Sequence, residues 1–125
     1  MTAKRTSGEL SMLRRMILDR ADTVSPAALL DWIGRGDAPI ILDVRSAGEF
    51  AAGHVPGAMH VPFTSVLAGS DNVRAEPSAT VVIYCGHGPR AWLAGAVLRR
   101  RGYARVTYLR GHMAEWRRAG LREDR

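Results

Sequence analysis

Two short apolar runs constrain this chain more than any other feature. Pro39-Ile-Ile-Leu-Asp-Val44 and Thr80-Val-Val-Ile-Tyr84 are apolar on both faces and bounded by polar or turn residues. A strand with one wet face alternates apolar and polar residues. These runs barely do so, which predicts strands covered above and below, as in a parallel sheet. Helical signals fall between and after them. Ser25 is placed to cap a helix opening on Pro26, with Leu29, Leu30 and Ile33 as its buried stripe and Gly34 and Gly36 at its end. Ala47 to Ala52 reads as a short helix closed by Gly53, and His54 to Pro62 as turn, brief strand and turn. Thr64 to Ala68 reads as a helical turn, followed by a polar loop from Gly69 to Ser78. Ala91 to Arg101 reads as an amphipathic helix with Leu93, Ala94, Val97 and Leu98 inward. Arg99, Arg100 and Arg101 lie at its negative dipole end, and Gly102 is the C-cap. Ala104 to Leu109 reads as a third strand and His112 to Ala119 as a last helix stopped by Gly120. The alternation predicts an α/β domain with a mostly parallel sheet covered on both sides.

At 125 residues the chain has room for one core. The domain is expected over 23–125. Residues 1–22 are expected to form an N-terminal extension, either frayed or an amphipathic helix with Leu10, Leu13 and Ile17 on one face. No apolar run approaches the length of a membrane-spanning helix and no basic-then-apolar leader is present, so the reading is a cytoplasmic protein without a membrane partner. The net charge of +6 invites a nucleic-acid reading, but 17 of the 18 basic residues are Arg, a skew that also follows from base composition. The whole excess lies in 97–125, which has nine Arg against Glu115, Glu123 and Asp124, and there is no aromatic interleaving on a basic strand. Nucleic acid is therefore not an expected partner.

Cys85 is the one cysteine, so no intrachain disulfide forms. It directly follows the second apolar run and precedes Gly86-His87-Gly88-Pro89-Arg90 and a helix. Ligands of parallel α/β sheets gather at such strand ends. The two glycines let the backbone curl so that successive N–H groups form an anion-binding nest; the helix N-terminus and Arg90 add positive charge. All three favour a nucleophilic thiolate. A lone cysteine at a strand end is more often a small buried hydrophobe. Such a filler, however, needs neither the glycines nor the arginine.

Three pieces of the sequence resemble the rhodanese-like family over about Thr23 to Leu121. They are Leu42-Asp43-Val44-Arg45 with Glu49-Phe50 and Gly53-His54-Val55-Pro56-Gly57-Ala58; the loop Cys85 to Arg90; and Leu109-Arg110-Gly111 with Trp116 and Gly120. The resemblance implies a five-stranded parallel sheet with helices on both faces and a sulfurtransferase resembling small bacterial single-domain thiosulfate sulfurtransferases. Cys85 would take sulfane sulfur from a small anionic donor such as thiosulfate, hold it as a persulfide, and pass it to a thiol or cyanide acceptor, with no cofactor or metal. Gly86, His87, Gly88, Pro89 and Arg90 would bind the donor. The spacing Cys-x4-Arg follows the sulfurtransferases, whereas the phosphatase relatives use Cys-x5-Arg. The alternative is a catalytically idle module that binds a partner protein, against which the intact cysteine, glycines and arginine argue.

The remaining candidates are weighed mainly as architecture. Asp43 would orient the active loop from the neighbouring strand end, Arg45 and Glu49 would form an ion pair at the start of a helix, and His54 would bond a backbone group in its turn. His87 would stand at the mouth of the loop, attracting the donor or merely facing solvent. Arg90 would fix the loop through its carbonyls, contact substrate, or both. Trp92 and Trp116 are read as core or half-buried helix residues, with Trp92 also placed to wall the pocket. Relatives commonly carry Gly-Gly where this chain has Gly111-His112, a change expected to alter the turn before the last helix and trim or line the substrate entrance.

Overall fold

The structure, a computed structural model, describes residues 23–69, 73 and 75–125. The elements run β1 (Thr23–Val24), α1 (Pro26–Gly34), β2 (Ile40–Asp43), α2 (Ala47–Ala52), β3 (Met59–His60), α3 (Phe63–Ala68), β4 (Thr80–Tyr84), α4 (Pro89–Arg100), β5 (Arg105–Leu109) and α5 (His112–Arg118). The five strands form one sheet in the order β1-β5-β4-β2-β3 with every pair parallel. The expected α/β architecture is therefore observed. The suggested helix within 1–22 lies outside the described residues.

Side chains of β4 explain why its sequence shows so little alternation. Val81 and Ile83, with Cys85 just past the end of the strand, enter one apolar layer, with Leu42 from β2, Val44 just after β2, Val66 from α3, and Ala91, Ala94 and Leu98 from α4. Val82 and Tyr84 enter the other, with Ile41, Leu29 from α1, and Met113 and Trp116 from α5. Both faces are dry. Each fully buried aliphatic side chain contributes about 1.5–3 kcal/mol, so the central strands carry much of the stability.

The buried face of α4 differs from expectation. Ala91, Ala94, Gly95 and Leu98 face the sheet, whereas Leu93 is 53% exposed. Small residues let the helix lie close: a methyl group on Gly95 would collide with the Tyr108 ring and hydroxyl. Trp92 is likewise 56% exposed rather than half-buried, while Trp116 is fully buried as expected. α4 also begins at Pro89, within the segment read as loop, because proline suits a first turn that needs no N–H.

β1 escaped the sequence reading, which saw only the approach to a helix cap. Thr23 and Val24 pair with Tyr108 and Leu109. Ser25 does cap α1, its hydroxyl accepting from the Ala28 N–H.

Candidate active site

From β2 the chain continues to β3 on one side; β4 lies on the other side of β2, with β5 beyond it. The winding direction thus reverses between β2 and β4, which opens a crevice beyond their carboxyl ends. Cys85 stands there, fully buried, directly after β4. Its Sγ accepts a hydrogen bond from the Gly88 N–H at 3.0 Å. Gly88 has φ +136°, where a side chain would be strained, and a methyl group on it would press into the Trp92 indole. The loop is also held from the other face of the site. Met113 and Ala114, in the first turn of α5, donate their N–H groups to the carbonyls of Cys85 and Gly86 at 3.0 and 3.2 Å. Those helix-end donors would otherwise lack partners.

Arg90 lies in the first turn of α4 and reaches across to α2. Its Nη1 and Nη2 donate to Glu49 Oε1 and Oε2 at 2.7 and 3.1 Å. Glu49 is itself the third residue of α2 and closes a capping box, accepting from the N–H and hydroxyl of Ser46. The Arg90 bond is the main cause that holds the Glu49 carboxyl down to about 2. In turn the Glu49 bond raises Arg90 against the opposing effect of burial, and the Cys85 sulfur adds a smaller contribution in the same direction.

Beneath the loop is a buried polar network. Asp43 accepts from Arg45 Nε and Nη2, at 2.7 Å for the shortest contact, and from the Tyr84 hydroxyl at 2.6 Å. Arg45 also donates to the Gly53 carbonyl, and the Tyr84 oxygen accepts from the Val55 N–H. Burial, followed by the Asp43 charge, pushes the Tyr84 hydroxyl well above the usual phenol range, so it remains a donor. Asp43 is thereby tied to the residue preceding Cys85. The ion pair expected between Arg45 and Glu49 does not form. Arg45 precedes the Ser46 cap, outside the helix, so helical spacing does not bring the two together.

Over residues 25–119 the sequence matches the family model of the Rhodanese-like domain. The chain belongs to the rhodanese-like domain family. It is 33% identical over 84 residues to the thiosulfate sulfurtransferase GlpE of Pseudomonas fluorescens, a match covering 66% of this chain and 74% of that protein. It is 28% identical over 97 residues to the probable adenylyltransferase/sulfurtransferase MoeZ of Mycobacterium tuberculosis, covering 78% of this chain but 25% of that protein. The chain thus spans about a quarter of that relative. Among solved structures, the human single-domain sulfurtransferase TSTD1 superimposes with a TM-score of 0.64 at 28% identity, covering 78% of this chain and 96% of that one.

Within this rhodanese-like domain the loop residues Cys85, Gly86, His87, Gly88, Pro89 and Arg90 come together at one strand end, and Asp43 and Arg45 lie in the network beneath. His87 is exposed at the loop. The His54 ring bonds the Phe50 carbonyl at 2.8 Å, as its turn suggested, and also stacks on the Phe50 ring. Trp92, although exposed, covers Gly88. No helix of the described residues is long and apolar enough to cross a membrane. One contact escaped the sequence reading: His112 Nδ1 accepts the Cys85 N–H at 3.2 Å. The only signal for it was the histidine after Gly111, where the family resemblance leads to a second glycine being expected.

Proposed function

We propose that this domain transfers sulfane sulfur from thiosulfate to a thiol or cyanide acceptor through a persulfide on Cys85. The observation that carries the reading is the position of Sγ, at a strand end, bonded to the Gly88 amide at the start of α4. Membership of a family with sulfurtransferase-named relatives supports it.

In the first half-reaction the Cys85 thiolate attacks the outer sulfur of thiosulfate. The new bond joins Sγ to that sulfur, the S–S bond of thiosulfate breaks, and sulfite leaves with the bonding pair. In the second, an acceptor thiolate or cyanide attacks the terminal sulfur of the persulfide. A new persulfide or thiocyanate departs, and the Cys85 thiolate is restored. The Gly88 amide favours negative charge on Sγ, and the α4 N-terminus favours it on the donor or persulfide. Arg90 supplies positive charge at the loop, partly offset by Glu49.

Soaking the protein in thiosulfate and weighing it intact tests the reading. One added sulfur atom that dithiothreitol removes is the expected result. An unchanged mass overturns it.

A further inference from the structure

We propose that His112 is a positioning residue for Cys85: its imidazole holds the Cys85 amide and so fixes the backbone from which the sulfur is presented. The inference deepens the reading of Cys85 as the reacting group and rests on it.

The ladder between β4 and β5 last pairs Ile83 with Tyr108, and β5 ends at Leu109. The Cys85 N–H lies beyond that ladder. A buried amide without an acceptor is strongly disfavoured, and here the partner is a side chain 27 residues away. His112 is 5% exposed, and its Nδ1 takes the place a strand carbonyl would occupy. The next residue completes the clamp, since the Met113 N–H donates to the Cys85 carbonyl. With Gly88 on Sγ, Cys85 is held at its N–H, its carbonyl and its sulfur. Two of those three bonds come from His112 and Met113.

The backbone shows that the histidine is retained at a cost. His112 has φ +55° and is the one non-glycine residue with positive φ among the described residues. Glycine would adopt that conformation without strain. A strained side chain persists where its surroundings hold it, and what holds this one is the Cys85 amide, with the Trp92 ring edge-on at 6.3 Å.

Because Nδ1 accepts, the ring's proton resides on Nε2. Burial, followed by the nearby His87, lowers the His112 imidazolium to about 4, so the accepting form prevails at neutral pH. The Arg90–Glu49 pair restrains the far end of the same loop.

The test compares His112→Gly with His112→Asn. Glycine removes the acceptor but also relieves the backbone strain, which offsets part of the cost of the unpaired amide, and a cooperative thermal unfolding transition checks that the variant is folded before rates are read. Asparagine tolerates a left-handed backbone and presents an oxygen that can accept the amide. Two rates are read: alkylation of Cys85 by iodoacetamide, which needs no sulfur donor, and sulfur transfer from thiosulfate to cyanide. His112→Gly is expected to slow alkylation and kcat by about tenfold with KM for thiosulfate little changed, while His112→Asn stays within about threefold of the wild type in both. Equal alkylation rates in the wild type and His112→Gly, or equal losses in Gly and Asn variants, would overturn the proposal. A wild type that alkylates with the expected ratios but takes up no sulfur would refute the thiosulfate reading and leave the positioning role standing.

Discussion

Arg90 and Glu49 face each other as a two-pronged ion pair, with contacts of 2.7 and 3.1 Å joining the first turn of α4 to the short helix α2. The positive charge at the reactive loop is therefore partly offset. Both side chains are partly exposed, at 31% and 39%, so the pair is screened and contributes at most about 1 kcal/mol to stability. It also sets the potential at the loop, which under the proposed function is what an anionic donor would meet.

Glu49→Gln keeps an oxygen for Arg90 and removes the negative charge. KM for thiosulfate should fall by up to about fivefold at low salt, with the difference shrinking as salt is added. A steady-state titration at two ionic strengths measures this, and a rise in KM would show that Glu49 acts chiefly by holding Arg90 in place. Because the carboxyl is held down to about 2, the pair should survive acidification to about pH 4.5 and be lost only as pH falls through 2.

Asp43→Asn should be costly. Arg45 is 2% exposed and Asp43 fully buried, so neutralising one partner strands a buried guanidinium, at about 3–5 kcal/mol. Tyr84→Phe, which removes one donor to Asp43 and the acceptor of the Val55 N–H, should cost about 1–3 kcal/mol. Urea unfolding of the two variants gives both values; a larger loss in Tyr84→Phe would contradict the assignment of Asp43 as the centre of the network.

Gly95→Ala should destabilise the domain despite alanine's better helix propensity. That preference is worth about 1 kcal/mol, whereas forcing a methyl group against the Tyr108 ring costs about 1–3 kcal/mol. The net change is expected to be unfavourable by thermal or urea unfolding, and a stabilised variant would mean that α4 does not lie as close to β5 as the structure shows.

His112 predicts a pH dependence of stability. Its imidazolium falls from the ordinary 6.5 to about 4 on folding, chiefly through burial. Between those values the unfolded chain binds more protons than the folded one. Stability from this group is thus complete above about pH 6.5 and is lost as pH falls toward 4, by up to about 3 kcal/mol. Urea midpoints of wild type and His112→Asn across pH 4–7 isolate the effect, since other titrating groups are shared. Parallel curves would mean that His112 is not buried in its neutral form.

The parts of this molecule that sequence reveals are those whose chemistry repeats along the chain. β2 and β4 were legible because a strand covered on both faces must be apolar throughout. The loop from Cys85 to Arg90 was legible because glycines, proline and arginine have no reason to follow a filler cysteine. β1 was not, because two residues carry no periodicity. The inward face of α4 was misread because large apolar residues drew attention to Leu93, while close approach to the sheet selects small ones at Ala91, Ala94 and Gly95. Side-chain partners were hidden because local spacing does not fix them: spacing suggested Arg45 with Glu49, yet Arg45 turns back to Asp43 two residues away, and the fold brings Glu49 to Arg90 and Cys85 to His112 across 41 and 27 residues.

The central claim is that Cys85 carries the sulfur, and intact-mass spectrometry of wild type and Cys85→Ser after thiosulfate treatment tests it most directly. The wild type should gain the mass of one sulfur atom, lose it on addition of cyanide with matching release of thiocyanate, and the serine variant should gain nothing. A wild type that stays unmodified, or a serine variant that acquires the same adduct, would contradict the account.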